Sequence, residues 1–320
     1  MATRTLKPGD LIISLPEQCL ITTETVLESY LGKYIRVWTP PVSPLLALCT
    51  FLITERYFGD RSLWKPYLDT LPSTYSCPVY WSPEIVNLLP SPIQQKAMEQ
   101  ITEVQELFVS SAAFFHSLQT LFPVKTESVL TYDTFLWAWC TVNTRTVYKK
   151  HAQRGGLSAQ PDVYAMAPFL DLLNHSPGVQ VEAAFNEKRR CYEIRTINGC
   201  KKHNQVFICY GPHDNQRLLL EYGFVAANNL HQSVYVTKGK GQNLTFGLEG
   251  PSWKLLTAMK LLCLKPEEFT SWKKVILGST VSCSNERDSV ELVRRICLHL
   301  LDQTSCALKE ASQMFKSQRL

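Results

Sequence analysis

The sequence predicts an α+β fold, and three observations point to it. Strand-like stretches with a period of two are grouped between residues 179 and 236. Helical stretches lie before and after that group rather than alternating with it. No strand–helix–strand repeat of the kind that builds a doubly wound parallel sheet runs along the chain.

Taken in order, Asp10 to Pro16 is a short apolar run entered from Pro8-Gly9 and reads as a strand. Pro44 opens a helix whose apolar residues recur at helical spacing, with Pro in the first turn, where its missing N–H is no loss. Ser62 to Leu89 is rich in Pro and aromatic residues and reads as packed loop with short helices. Pro92 to Phe122 is expected to be the longest helical stretch, and Tyr132 to Tyr148 a further helix carrying Phe135, Leu136, Trp139 and Val142. His151 to Pro161 holds Gly155, Gly156 and Ser158 and reads as a loop. Val179 to Phe185, Cys191 to Thr196 and Gln205 to Tyr210 are predicted strands, the first two joined by a polar turn. Asp214 to Tyr222 reads as a short helix and Gln232 to Val236 as a last strand. Lys238 to Gln242 is the predicted boundary, giving a first unit over 1–236 and a helical lobe over 243–320. From Ser252, and again from Glu286 to the end, the pattern is helical.

The chain has 320 residues, 45 % of them apolar and 19 % charged, which is enough for a sizeable core and excludes disordered and collagen-like readings. Lys and Arg total 33 against 28 Asp and Glu, a net charge of +5 that does not call for nucleic acid. With no basic stripe of interleaved aromatics, direct nucleic-acid binding is not expected. No apolar run of membrane-spanning length occurs, so no membrane is expected. The N-terminus has no apolar secretory segment, and the 11 cysteines form no CxxC pair. Reduced thiols inside the cell, in cytoplasm and nucleus, are therefore expected, and no metal.

Three segments hold candidate chemistry. Arg145 ends a strongly apolar helix, where a guanidinium suits a carboxylate partner. Asp171-Leu-Leu-Asn174-His175-Ser176-Pro177 places an amide and an imidazole directly after an apolar run. Tyr210-Gly211 and Tyr222-Gly223-Phe224 put two phenols next to permissive backbone, twelve residues apart. Each segment alone is compatible with an ordinary cap, turn or packed strand.

Together, and in this order, they resemble the SET-domain protein methyltransferases, in the branch that includes the Rubisco large-subunit lysine methyltransferase. The matching pieces are Lys7 to Pro16, Ser62 to Pro72, Trp137 to Arg145, Asp171 to Ser176 and Tyr210 to Phe224. The resemblance implies a SET-type β-fold with a helical insertion over about 40–165 and a helical C-terminal lobe that helps present a protein substrate. It implies S-adenosylmethionine as methyl donor and a lysine on a histone tail or non-histone protein as acceptor. It assigns Tyr210 as the catalytic phenol and Tyr222 to the lysine channel. Asn174, His175, Tyr210 and Phe224 are expected at the cofactor, with Arg145 on its carboxylate, while Asp171 supports the loop that carries Asn174. The family's first cofactor wall, a Gly-containing strand and loop, lies upstream of the segment matching residues 2–16, so a shortened form with weakened cofactor affinity is expected. The rival reading is a weak or inactive SET-fold binding module. A hydrolase built on Asp171 and His175 is a remote third, since no nucleophile elbow is present.

Overall fold

The first strand, β1 (Leu11–Pro16), comes after a turn at Gly9, whose φ of 84° lies in the region that glycine enters without a Cβ clash. The computed structural model describes residues 1–152, 154–236 and 244–317. Helix α1 (Thr23–Glu28) starts at Thr22, whose hydroxyl accepts from the Thr25 amide. Helix α2 (Pro44–Phe58) is capped by Ser43 and ends at Gly59. It is apolar on every side and buried over Leu46 to Glu55, so it forms the axis of the helical region. Helix α3 (Ser91–Ser110) is succeeded by a separate short helix, Ala112–Ser117. Helix α4 (Tyr132–Arg145) begins with a reciprocal Thr131–Thr134 cap and packs against α2.

After α4 the chain extends at once into β2 (Thr146–Tyr148), which pairs antiparallel with β3 (Tyr164–Met166). Strand β4 (Asn174–His175) lies parallel to β7 (Phe207–Ile208), with Asn174 opposite Phe207 and His175 opposite Ile208. Between them in sequence, β5 (Val181–Asn186) and β6 (Cys191–Thr196) form a hairpin, and β6 also pairs with β1. Strand β8 (Ser233–Tyr235) pairs with β9 (Thr245–Gly247), which pairs with β10 (Gly250–Pro251). Two helices come next, α5 (Trp253–Leu262) and α6 (Cys283–Ser317), packed together through Leu255, Met259 and Val293.

Two apolar clusters hold these elements in place. Phe51, Leu52, Phe135 and Trp137 join α2 and α4 in one core. Leu15, Ala165, Leu170, Tyr192, Ile194 and Ile208 form a second, against which Leu173 and Tyr210 pack. No helix among the described residues is long and apolar enough to cross a membrane.

The elements differ from expectation in three places. The stretch 92–122 breaks at Ser111, where the Ser110 and Ser111 hydroxyls both donate to the Leu107 carbonyl. The longest helix is therefore α6, with 35 residues. The helix over 132–148 stops at Arg145, since Thr146 and Val147 are β-branched and take up the β2 ladder instead. The strand expected over 205–210 is reduced to two residues. The boundary expected at 238–242 lies outside the described residues, and the strands on either side of it, β8 and β9, pair with each other.

Candidate active site

The site is built where β4 and β7 lie side by side. Parallel pairing of two residues with two residues is a weak ladder, and the Ser176 amide extends it by donating to the Ile208 carbonyl at 2.9 Å. It places His175 beside Tyr210, two residues past β7. The Tyr210 amide donates to His175 Nδ1 at 3.1 Å, and the Tyr210 hydroxyl donates to the Leu173 carbonyl at 2.8 Å. The phenol is thus pinned at both ends to the segment that carries Asn174. The His175 and Tyr210 ring centroids are 5.1 Å apart.

The second phenol arrives on a different element. Asp214 caps a short helix, Asn215–Arg217, which widens into a π-turn over Leu218–Tyr222. Such turns are frequent at functional sites. Gly223 closes the turn at φ 78°. A Cβ there would stand 2.6 Å from the Ser76 carbonyl carbon and 2.7 Å from the Cys77 nitrogen, so only glycine permits this approach. The result brings Tyr222 to 5.1 Å from Tyr210 and Phe224 to 5.9 Å from His175, centroid to centroid. Tyr222 makes no side-chain hydrogen bond to any described residue, unlike Tyr210.

Burial sets the protonation of these groups. It raises Tyr210 above the usual phenol value, helped by the Asp171 charge and opposed by Arg145. Burial pushes Tyr222 up to about 12. Both phenols are neutral near pH 7. Burial lowers His175 below the usual imidazole value, with His213 and His231 adding to the effect. With Nδ1 accepting from an amide, the proton of the neutral ring sits on Nε2, which is buried and has no partner. The Asn174 side chain is exposed and makes no hydrogen bond to a described residue.

Tyr210, Tyr222, His175 and Phe224 therefore form one cluster, and Asn174 precedes His175 in β4. Arg145 turns one arm of its fork inward. Its Nη1 donates to the Asp171 carboxylate at 3.1 Å and to the Asp171 carbonyl at 3.4 Å. The reason is burial, with side-chain exposures of 18 % for Arg145 and 2 % for Asp171. A guanidinium that deep needs an internal counter-charge. The Tyr67 hydroxyl donates to the same carboxylate at 2.8 Å. Asp171 and His175 are not partners of each other, so no Asp–His relay exists and the hydrolase reading falls. Among the described residues, no group of three His, Cys, Asp or Glu side chains is arranged to hold a metal.

Sequence reasoning gave no role to His213, Tyr67 or the Leu173 carbonyl. His213 stacks on Tyr222 at 6.0 Å and 27°. Its position three residues after Tyr210 is the only signal the sequence carried. Tyr67 and Leu173 act through long-range or backbone contacts that leave no sequence signature.

Comparison with known proteins bears on this arrangement. The family model described as SET domain matches residues 1–211, and the one described as Rubisco LSMT substrate-binding matches residues 224–320. SET domain-containing protein 4 of Mus musculus is 55 % identical, over 98 % of this chain and 77 % of that protein. Actin-histidine N-methyltransferase of Mus musculus is 30 % identical, over 74 % of this chain and 39 % of that protein. The crystal structure of the SET domain of LSMT bound to lysine and AdoHcy superposes with a TM-score of 0.69 at 22 % identity, covering 94 % of this chain and 74 % of that one, a likeness of fold. With the SET match covering residues 1–211, which hold β4, β7, His175 and Tyr210, the chain belongs to the SET-domain methyltransferase family.

Proposed function

We propose that the chain transfers a methyl group from S-adenosylmethionine to a lysine side chain of a protein, on a histone tail or a non-histone protein. The observation that carries this reading is the double anchoring of Tyr210, by its amide to His175 Nδ1 and by its hydroxyl to the Leu173 carbonyl, beside the open amide of Asn174.

The residues present fit the donor. His175 Nε2, a buried donor without a partner among the described residues, is a group that a polar ligand would satisfy, and the exposed Asn174 side chain makes no hydrogen bond to a described residue. Asn174, His175, Tyr210 and Phe224 would hold it. When bound, it supplies an activated methyl on a sulfonium. Through Asp171, Arg145 fixes the segment that carries Leu173 and Asn174, and its Nε, without a partner among the described residues, leaves it able to meet a ligand carboxylate as well.

The chain's own part is to accept, dry and orient the amine. A lysine with solution pKa near 10.4 loses its proton near pH 7 at a cost of about 4 kcal/mol. An amine held against the rings of Tyr210, Tyr222 and Phe224 would be desolvated, which disfavours its charged form and reduces that cost. Because Tyr210 gives its proton to the Leu173 carbonyl, its oxygen faces the site as an acceptor. Tyr222 still has a free O–H and free lone pairs. Both phenols, being neutral, orient the amine without adding charge. Positioning in line supplies the rest.

The test is transfer of tritiated methyl to histones and to a cell lysate, then acid hydrolysis and separation of the methylated amino acids. Label in Nε-methyllysine is expected. Label only in methylhistidine overturns the acceptor. Binding of S-adenosylmethionine with no transfer to any protein overturns the enzyme reading.

A further inference from the structure

A second pocket lies away from the candidate site, between α1, α2 and the segment after Gly59. Its volume is about 450 Å³, within the range of small-molecule sites. Four aromatic side chains line it, Tyr30, Phe51, Phe58 and Trp64, with the hydroxyl residues Thr25 and Ser29 beside them. Tyr30 meets Phe58 edge to face at 5.1 Å and lies over Phe51 at 6.4 Å. Glu55 is also part of the lining, and it is only 6 % exposed.

That carboxylate is unusual. The Tyr30 hydroxyl donates to its Oε1 at 2.8 Å, and the Ser62 hydroxyl donates to its Oε2. Burial and the Glu55 charge both raise Tyr30 above the usual phenol value, which keeps that proton in place. Yet among the described residues no Lys, Arg or His forms an ion pair with Glu55. Buried carboxylates are ordinarily paired with a cation. The nearby cation, Arg61, instead lies over the Phe58 ring at 5.1 Å, with its side chain exposed to solvent. The ring face therefore already attracts positive charge.

We propose that this pocket binds a methylated ammonium group, of the trimethyllysine or choline type. The chemistry selects methylated over simple ammonium. The Tyr30 and Ser62 hydroxyls each occupy one acceptor site on a Glu55 oxygen and the ring faces offer none, so a strongly hydrated plain ammonium would exchange its water for fewer N–H partners. A quaternary ammonium has no N–H, sheds water readily and is held by ring faces and by an unpaired negative charge. The inference does not depend on the proposed methyl transfer, since the pocket shares no lining residue with that site.

The experiment labels the intact chain with 5-fluorotryptophan, assigns the Trp64 resonance by Trp64→Phe, and titrates with tetramethylammonium chloride and separately with ammonium chloride. Reading at Trp64 excludes binding at the methyl-transfer site. The expected result is a saturable shift with tetramethylammonium, at a midpoint at least about tenfold below that for ammonium. Glu55→Gln should raise the midpoint about tenfold. Arg61→Ala, on an exposed side chain that does not threaten folding, should lower it by removing the competing guanidinium. An unmoved Trp64 resonance, equal response to both salts, or a midpoint unchanged or raised in Arg61→Ala overturns the proposal.

Discussion

Gly223 and Gly278 share the same backbone twist, φ 78°, but differ in their surroundings. An added Cβ at Gly278 meets nothing within 4 Å, whereas at Gly223 it would stand 2.5 Å from Ser76 Oγ, 2.6 Å from the Ser76 carbonyl carbon and 2.7 Å from the Cys77 nitrogen. Gly278→Ala therefore carries only the penalty for a left-handed L-residue, about 1–2 kcal/mol. Gly223→Ala adds an overlap with backbone that no side-chain rotation can relieve, of the order of 1–3 kcal/mol. The difference between the two variants isolates the close approach. Urea midpoints at constant slope measure it. Because Tyr222 and Phe224 flank Gly223, Gly223→Ala should also reduce methyl transfer, while Gly278→Ala should not. Equal stability of the two variants, or a Gly223→Ala chain as active as wild type, would show that the Ser76–Cys77 approach does not shape the site.

The same geometry sets four further outcomes. Tyr210→Phe should keep the fold, at a cost of about 1 kcal/mol for the Leu173 carbonyl left without its donor, and should slow methyl transfer by about 10²-fold in single-turnover assays. Asp171→Ala strands a buried guanidinium and should destabilise by about 3–5 kcal/mol, with much of the loss recovered in the double variant Arg145→Met, Asp171→Leu. Burial holds both His175 and His213 below the usual imidazole value, so the unfolded chain takes up protons first as the pH falls from 7 through about 6.5. Stability should drop over that interval, and His213→Asn should show a smaller drop between pH 7 and about 5.5 by urea unfolding. In the spectrophotometric titration of tyrosines, Tyr222→Phe should remove a component rising only near pH 12.

Local pattern made much of this legible. The period of two in Val179 to Phe185 and Cys191 to Thr196 shows in the β5–β6 hairpin, and Pro44 marks the first turn of α2. Tyr210, Tyr222 and His175 lie together, because turn chemistry at Gly223 and a two-residue parallel ladder bring them there. What sequence could not show is who partners whom. Arg145 finds Asp171 across 26 residues and Tyr67 reaches the same carboxylate across 104. Neither separation has a periodicity to read.

The carboxylate of Asp171 is held by Tyr67 and Arg145, and both belong to the stretch that interrupts the β-rich part of the chain. That stretch is consequently not an ornament that an engineer could trim. A miniature catalyst made by joining residue 40 directly to residue 165 would inherit a negative charge sealed from water with neither of its two donors. The strand pair that carries Asn174 and His175 would lose its keystone. Swapping in the equivalent stretch from another protein would work only if the graft brought its own phenol and guanidinium to the same spot.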